Sequence, residues 1–261
     1  MALTEWASEA CFRKTERPIS QSHIKSEVRG QAAILGFNHV YFLTSFLFDY
    51  NMLLTSTSYL GPVQLYAHIY AADHIVEDRH EHFVKQTYRN RCYIATPTGA
   101  QPLTIPIVRN GASHRATRDV RISDHGNWRH LHWTAIASAY ESSPYFEYYA
   151  DDFRPLYERP FDFLVDFNEA LQHTVLSLLS IDKPITLSDH YILPDELPSD
   201  ALDTRMLISP KQPLEADLAF HMVPYYQVFS TRTGFIPNLS IIDLLFNLGP
   251  ESRMVLKQSK R

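Results

Sequence analysis

The sequence predicts an α/β or α+β fold in which a small mixed sheet is flanked by helices. Three stretches carry that expectation. Leu53 to Asp78, "LLTSTSYLGPVQLYAHIYAADHIVED", reads as strand, turn, helix and second strand, a common opening for an α/β domain. Cys92 to Val108, "CYIATPTGAQPLTIPIV", sets two apolar runs around a Pro/Gly turn, as a hairpin does. From Asn127 onward the pattern becomes helical.

Taken in order, Leu53–Ser58 is the first strand. Residues 61–72 form a helix with Val63, Tyr66, Ile69 and Tyr70 on one face. "HIVED" returns as a second strand at a βαβ-like spacing, so the pair is expected to be parallel. The hairpin follows, and "DVRI" adds one more short strand. Asn127 is the expected N-cap of "WRHLHWTAIASAYES", and Pro144 opens an aromatic-rich helical segment through Tyr157. Residues 161–180 carry the clearest stripe, with Phe161, Leu164, Val165, Leu171, Val175, Leu178 and Leu179 on one side. Residues 182–217, rich in proline and acid, read as irregular connections. Asn238 is placed to cap a last helix that ends at Leu248 with Gly249 as its C′ residue, and the tail from Glu251 reads as frayed.

The domain is expected to begin at Met52 and run to Arg261. Residues 1–51 then form an extension, either disordered or the result of a start assigned too far upstream. Ala32 to Phe48 is nearly apolar, yet it is shorter than the ~20 residues a spanning helix needs and is interrupted by Asn38 and His39. No firm membrane segment and no secretory signal pattern is read from it.

Composition narrows the function. The chain has 261 residues, 45% hydrophobic and 20% charged, an ordinary globular balance. A net charge of −5 argues against general nucleic-acid binding. With only 8 glycines, it contains neither a Walker-type phosphate loop nor a dinucleotide fingerprint. Two cysteines make no disulfide framework, and a cytoplasmic location is expected.

Local chemistry concentrates in "HFVKQTYRNRCYI". Lys85 and Arg89 face together whether the stretch is extended or helical. With Arg91, and with Gln86 and Asn90 alongside, they are expected to hold a phosphate or carboxylate. The competing reading pairs these cations with Glu77, Asp78 or Glu81 just upstream. Asn168 interrupts the 161–180 stripe and needs a partner, either a loop backbone or a ligand. His132 lies one turn from Trp128 and is an acid/base candidate, as is His80. Gln64 and His68 share a face that could look into a cleft, while Asp243 lies on the polar side of the last helix. The histidines show no metal-ligand spacing, so no metal is expected, and the sequence names no cofactor.

The blocks "YLGPVQLYAHI", "KQTYRNRCYI", "LTIPI", "NWRHLHWTAIASAY", "SPYFEYY" and "GFIPNLSIIDLLFNLG" occur in the order and spacing of the WbqC-like family, which the chain resembles from Met52 to Gly249. The resemblance implies a role near genes for O-antigen and other bacterial surface polysaccharides (lipopolysaccharide), where glycine transfer has been suggested. It marks Gln86, Arg89, Asn90, Arg91, Trp128, Asn168, Asn238 and Asp243 as shared positions without giving them chemistry. Many members open with "QPTYLP" where this chain has "TSTSYLGP", and the region before the closing block is compressed. The expectation is a transferase of surface-glycan assembly moving an aminoacyl or acyl group to a sugar. Lys85, Arg89 and Arg91 would hold an anionic small molecule, and Asn168, Asn238 and Asp243 would orient it. Two alternatives remain at this stage. One is nucleotide-dependent transfer or activation with phosphates at the first helix N-terminus. The other is a non-catalytic partner of a glycan-biosynthesis enzyme.

Overall fold

Leu53 and Leu54 are neighbours and both are fully buried, so β1 (Met52–Thr55) is covered on both faces. Such strands read as unbroken apolar runs and pair in parallel beneath helical layers. The computed structural model describes residues 50–108 and 115–261, and the readings placed on residues 1–49 lie outside them.

β1 leads through α1 (Val63–Ala71) to β2 (His74–Glu77), which pairs with it in parallel, Leu53 opposite Ile75. The expected strand–helix–strand unit is therefore present. β3 (Arg91–Thr96) and β4 (Gly99–Thr104) form the expected antiparallel hairpin, which makes a two-stranded sheet of its own. Three helices follow: α2 (Trp128–Tyr140), α3 (Phe146–Glu158) and α4 (Leu164–Leu178). The main sheet is completed by β5 (Ile185–Leu187) and β6 (Ala201–Asp203), giving the order β5-β2-β1-β6 with every pair parallel. The chain ends with one helical turn, α5 (Ser230–Thr233), then α6 (Ile241–Leu248) and α7 (Ser252–Gln258). The fold is α/β, as expected.

Five details depart from the sequence expectation. Residues 182–217 are not wholly irregular, because their two short strands form both edges of the sheet. "DVRI" makes only isolated bridges, from Ile122 to Ile107 and from Arg121 to Phe163. Asn127 precedes α2 in a left-handed conformation, φ 47°, and its side chain makes no cap bond. Ser240, not Asn238, caps α6, its hydroxyl accepting from the Ile242 amide. The tail is helical rather than frayed, with Val255 and Leu256 buried.

The core is aromatic. Phe246 of α6 meets the rings of Tyr140, Phe146 and Phe153 edge-on, and Phe167 of α4 lies among Tyr59, Trp128 and Tyr157. Gly61 sits at the tightest point of the β1–α1 loop. A Cβ there would lie 2.6 Å from Ser58 Oγ and 2.8 Å from Leu65 Cδ2. Gly61→Ala is expected to destabilise the protein by roughly 1–3 kcal/mol, as overpacking does. Adding Ser58→Ala should recover part of that loss, and denaturant melts of the two single variants and the double variant give the coupling.

Candidate functional site

All four strands of the parallel sheet point their carboxyl ends at one region. In open parallel sheets, ligands bind outside those ends, where connections leave in different directions. Here β1 leads to its neighbour β2, whereas β6 arrives on its other side from much later in the chain. The four loops that follow the strands carry residues 56–61, 78–82, 188–192 and 204–205.

Asp78, fully buried just past β2, ties these loops together. Its Oδ1 accepts from the amides of His80 (2.8 Å) and Glu81 (3.2 Å) and from Ser188 Oγ (3.2 Å). Its Oδ2 accepts from Arg205 Nη1 at 2.7 Å. Arg205 also forks onto Asp203, donates to the Ile192 carbonyl, and lies under the Tyr191 ring, 5.0 Å from its centroid. Arg89 clamps both oxygens of Glu81, at 2.6 and 2.5 Å, and reaches Thr87 Oγ1 and the Arg205 carbonyl. On the far side, Glu77 bonds Arg79 at 2.6 Å, and Arg79 reaches Glu169 at 3.3 Å. Burial holds the Glu77 carboxyl above its ordinary range, with Arg79 opposing. Charges removed from water hold this geometry only when each is paired.

Inside this lattice lies a small cavity lined by Thr55–Ser58, Leu65, Tyr88, Arg89, Thr204, Arg205 and Ile208. Its volume of about 20 Å³ fits one water-sized group. Ser56 Oγ and Ser58 Oγ are buried and have no hydrogen-bond partner among the described residues. Buried polar atoms are nearly always paired, with protein or with ordered water, so these two hydroxyls leave room in the cavity for one further hydrogen-bonding group, a water or a ligand atom. Leu60 in the same loop has φ 43°, a strained value for a branched side chain.

The residues selected from sequence scatter around this region. Lys85 and Gln86 are exposed, Gln86 with φ 61° in a turn that is neither strand nor helix, so no common face forms. Arg91 is half-buried and donates to Thr104 Oγ1, while Arg89 is committed to Glu81, as the competing reading had it. Asn90 donates to the Ile105 carbonyl. Asn168 donates to the Arg89 carbonyl (2.8 Å) and Thr57 Oγ1 (3.2 Å), pinning the floor of the cavity from below. His80 is half-exposed on the loop after β2, at the rim of the sheet's carboxyl edge and outside the cavity lining, both ring nitrogens within 3.3 Å of Arg118 Nη1. His132 is buried beneath the β1–α1 loop, its Nδ1 2.9 Å from the Tyr59 hydroxyl, which also bonds Tyr157. Burial pushes its pKa down to about 4, so it is a neutral core histidine at pH 7.

The closing block lies elsewhere. Asn238 Oδ1 accepts from the Gln64 amide at 2.9 Å, and the Leu239 carbonyl accepts from Val63, so the start of α1 is capped from within the protein. Those amides are not free for a phosphate. Gln64 and His68 both bond Asp217, and His68 Nδ1 meets the Tyr50 hydroxyl at 2.6 Å. The cleft suggested for that face is filled by the chain itself. Asp243 is fully buried and accepts from Tyr140, Tyr225 and Gln227, which locks α6 to α2.

Sequence reasoning missed Ser56, Ser58, Ser188, His190 and Arg205. The signal for the first two was present, since small hydroxyl residues directly follow an apolar strand. The others lie in the stretch read as irregular. A larger groove of about 780 Å³ runs between α4 and residues 180–185, lined by Gln172, His173, Asp182 and Lys183 among others. It lacks the convergence of strand ends, and Lys183 there is engaged by the carbonyls of Tyr70 and Ala72. Among the described residues, no group of three or more His, Cys, Asp or Glu is placed to hold a metal ion, and no helix is long and apolar enough to cross a membrane.

Fold and site together define an α/β protein with a small polar cavity at the carboxyl edge of a parallel sheet. The chain belongs to the WbqC-like protein family, whose model matches residues 57–216. That match begins at Thr57, one residue past Ser56, takes in the loops after β2, β5 and β6, and stops short of the closing block. The chain is also 28% identical over 198 residues to the uncharacterised protein Rv1507c of Mycobacterium tuberculosis, covering 69% of this chain and 85% of that protein. No solved structure matches it.

Proposed function

We propose that the protein is a transferase of surface-glycan assembly that binds a small anionic substrate at the carboxyl edge of its parallel sheet. The observation that carries this reading is the pair of unpartnered buried hydroxyls, Ser56 and Ser58, inside a lattice of paired charges. Binding sites are held by groups whose own positions are fixed, and Asp78, Arg205, Glu81 and Arg89 supply that rigidity. The rim supplies reactive groups. His80 stands beside Arg118, and His190, its Nδ1 2.5 Å from Asp189 Oδ1, stands on the loop after β5. The anionic part of the substrate is assigned to Arg118, with His80 as the acid/base. Phosphates at the start of α1 are not favoured, because its amides are already bonded.

The test is thermal stability of the full-length protein against nucleotides, nucleotide sugars and amino acids. A ligand at a hundred times its Kd stabilises a protein by roughly 2.7 kcal/mol. At least one such compound is expected to raise the melting temperature, and His80→Ala and Arg118→Ala, both at the rim, should weaken its binding while the unliganded protein still folds. A hit indifferent to both variants would place the substrate elsewhere. A well-folded protein with no hit and a copurifying enzyme would favour the partner role.

A further inference from the structure

Ser56 and Ser58 differ from the hydroxyls around them. Thr55 Oγ1 donates to the Ser56 carbonyl, Thr57 Oγ1 accepts from Asn168, and Thr204 Oγ1 donates to the Leu54 carbonyl. Ser56 Oγ and Ser58 Oγ are left over, in residues only 8% and 6% exposed. Both line the same cavity of about 20 Å³, so whatever they bind there is a single small group.

The two arginines beside them are nearly used up. A guanidinium has five N–H donors. Arg89 directs its donors at both Glu81 oxygens, Thr87 Oγ1 and the Arg205 carbonyl. Arg205 directs its own at Asp203, Asp78 and the Ile192 carbonyl. A carboxylate or phosphate entering here would meet paired carboxylates and few free donors, and burying it unpaired is costly. A hydroxyl fits, because each serine can both donate and accept, and so can the incoming oxygen.

We infer that Ser56 and Ser58 hold one uncharged hydroxyl of a polyhydroxylated ligand, which enters where a single water molecule would otherwise sit. This inference rests on the reading of the cleft as a substrate site and names the kind of group received at its floor. The anionic end of the same ligand stays at the rim.

The experiment is calorimetric titration of the full-length protein and its Ser56→Ala and Ser58→Ala variants. The probes are glucose, galactose and mannose, their monodeoxy analogues, and acetate and inorganic phosphate. At least one hexose is expected to bind, at least ten-fold more weakly to either variant. Removing one particular hydroxyl from that sugar should cost a similar factor, and the sugar and serine losses should not add. Thermal melts check that both variants fold. Acetate or phosphate binding that depends on the two serines would overturn the inference, since the floor would then take an anion. So would hexose binding that ignores both serines, or no hexose binding, which would leave the hydroxyls as holders of an ordered water. Neither result bears on the rim, which the His80 and Arg118 variants judge separately.

Discussion

Arg205→Ala is expected to lower stability by roughly 3–5 kcal/mol, the usual cost of stripping one partner from a buried ion pair. Arg205 is 5% exposed and Asp78 is fully buried, so the Asp78 carboxylate would lose its cation without gaining water. The damage should spread, because Arg205 joins the loop after β2 to the loops after β5 and β6 through Asp78, Ile192 and Asp203. In a folded region of this size the loss corresponds to a fall of about 6–20 °C in melting temperature. Asp78→Asn combined with Arg205→Met should be markedly milder than the sum of the single changes, since both charges leave together. Additive losses in thermal or denaturant melts would mean the pair is not coupled.

The second large effect concerns Asp243. Its carboxylate accepts from Tyr140 at 2.9 Å, Tyr225 at 2.7 Å and Gln227 at 3.0 Å. Asp243→Ala would leave those buried donors without an acceptor, at a cost of about 1–3 kcal/mol for each. The same residue sets a pH dependence. Burial raises its pKa from an ordinary 3.8 to about 6, against the pull of its three donors. The protonated form is therefore favoured by folding. This contribution is full below pH 4 and is lost as pH rises through 6, by roughly 3 kcal/mol for two pH units of difference. His132 works in the opposite direction. Its pKa falls from 6.5 to about 4, so the stability it contributes is present above pH 6.5 and is lost as pH falls toward 4. The whole-protein profile mixes the two, and a comparison with Asp243→Asn isolates the first. Relative to that variant, wild type should lose stability between pH 4 and pH 6. A constant difference across that range would show that Asp243 does not titrate in this window.

How much was legible in the sequence follows from these residues. The strand–helix–strand unit, the hairpin and the four long helical runs announce themselves through local periodicity, and the structure places them as expected. β5 and β6 do not, because strands of three residues carry no period, and only pairing with β2 and β1 makes them strands. Losing them hid the sheet edges and, with them, Ser188, His190 and Arg205. The basic cluster was read correctly as a cluster and differently from its final arrangement. Its cations point three ways because the turn at Gln86 breaks any common face, and the nearest carboxylate, Glu81, claims Arg89 first. Asn238 was read as the cap of the last helix and caps α1 instead, while Asp243, read on a polar face, is fully buried. Their partners, Gln64, Tyr140, Tyr225 and Gln227, lie too far away in sequence to be read from one chain. Ser56 and Ser58 were the missed opportunity. Hydroxyls directly after a buried parallel strand fall where such sheets bind ligands.

The most direct test of the binding site is a hydrogen-exchange difference map of the full-length protein with and without the strongest thermal-shift ligand. Protection confined to residues 56–61, 78–82, 188–192 and 204–205, the four loops at the carboxyl edge, is the expected result. Protection confined instead to α4 and residues 180–185, the walls of the larger groove, would contradict the assignment and move the site to the flank of the sheet.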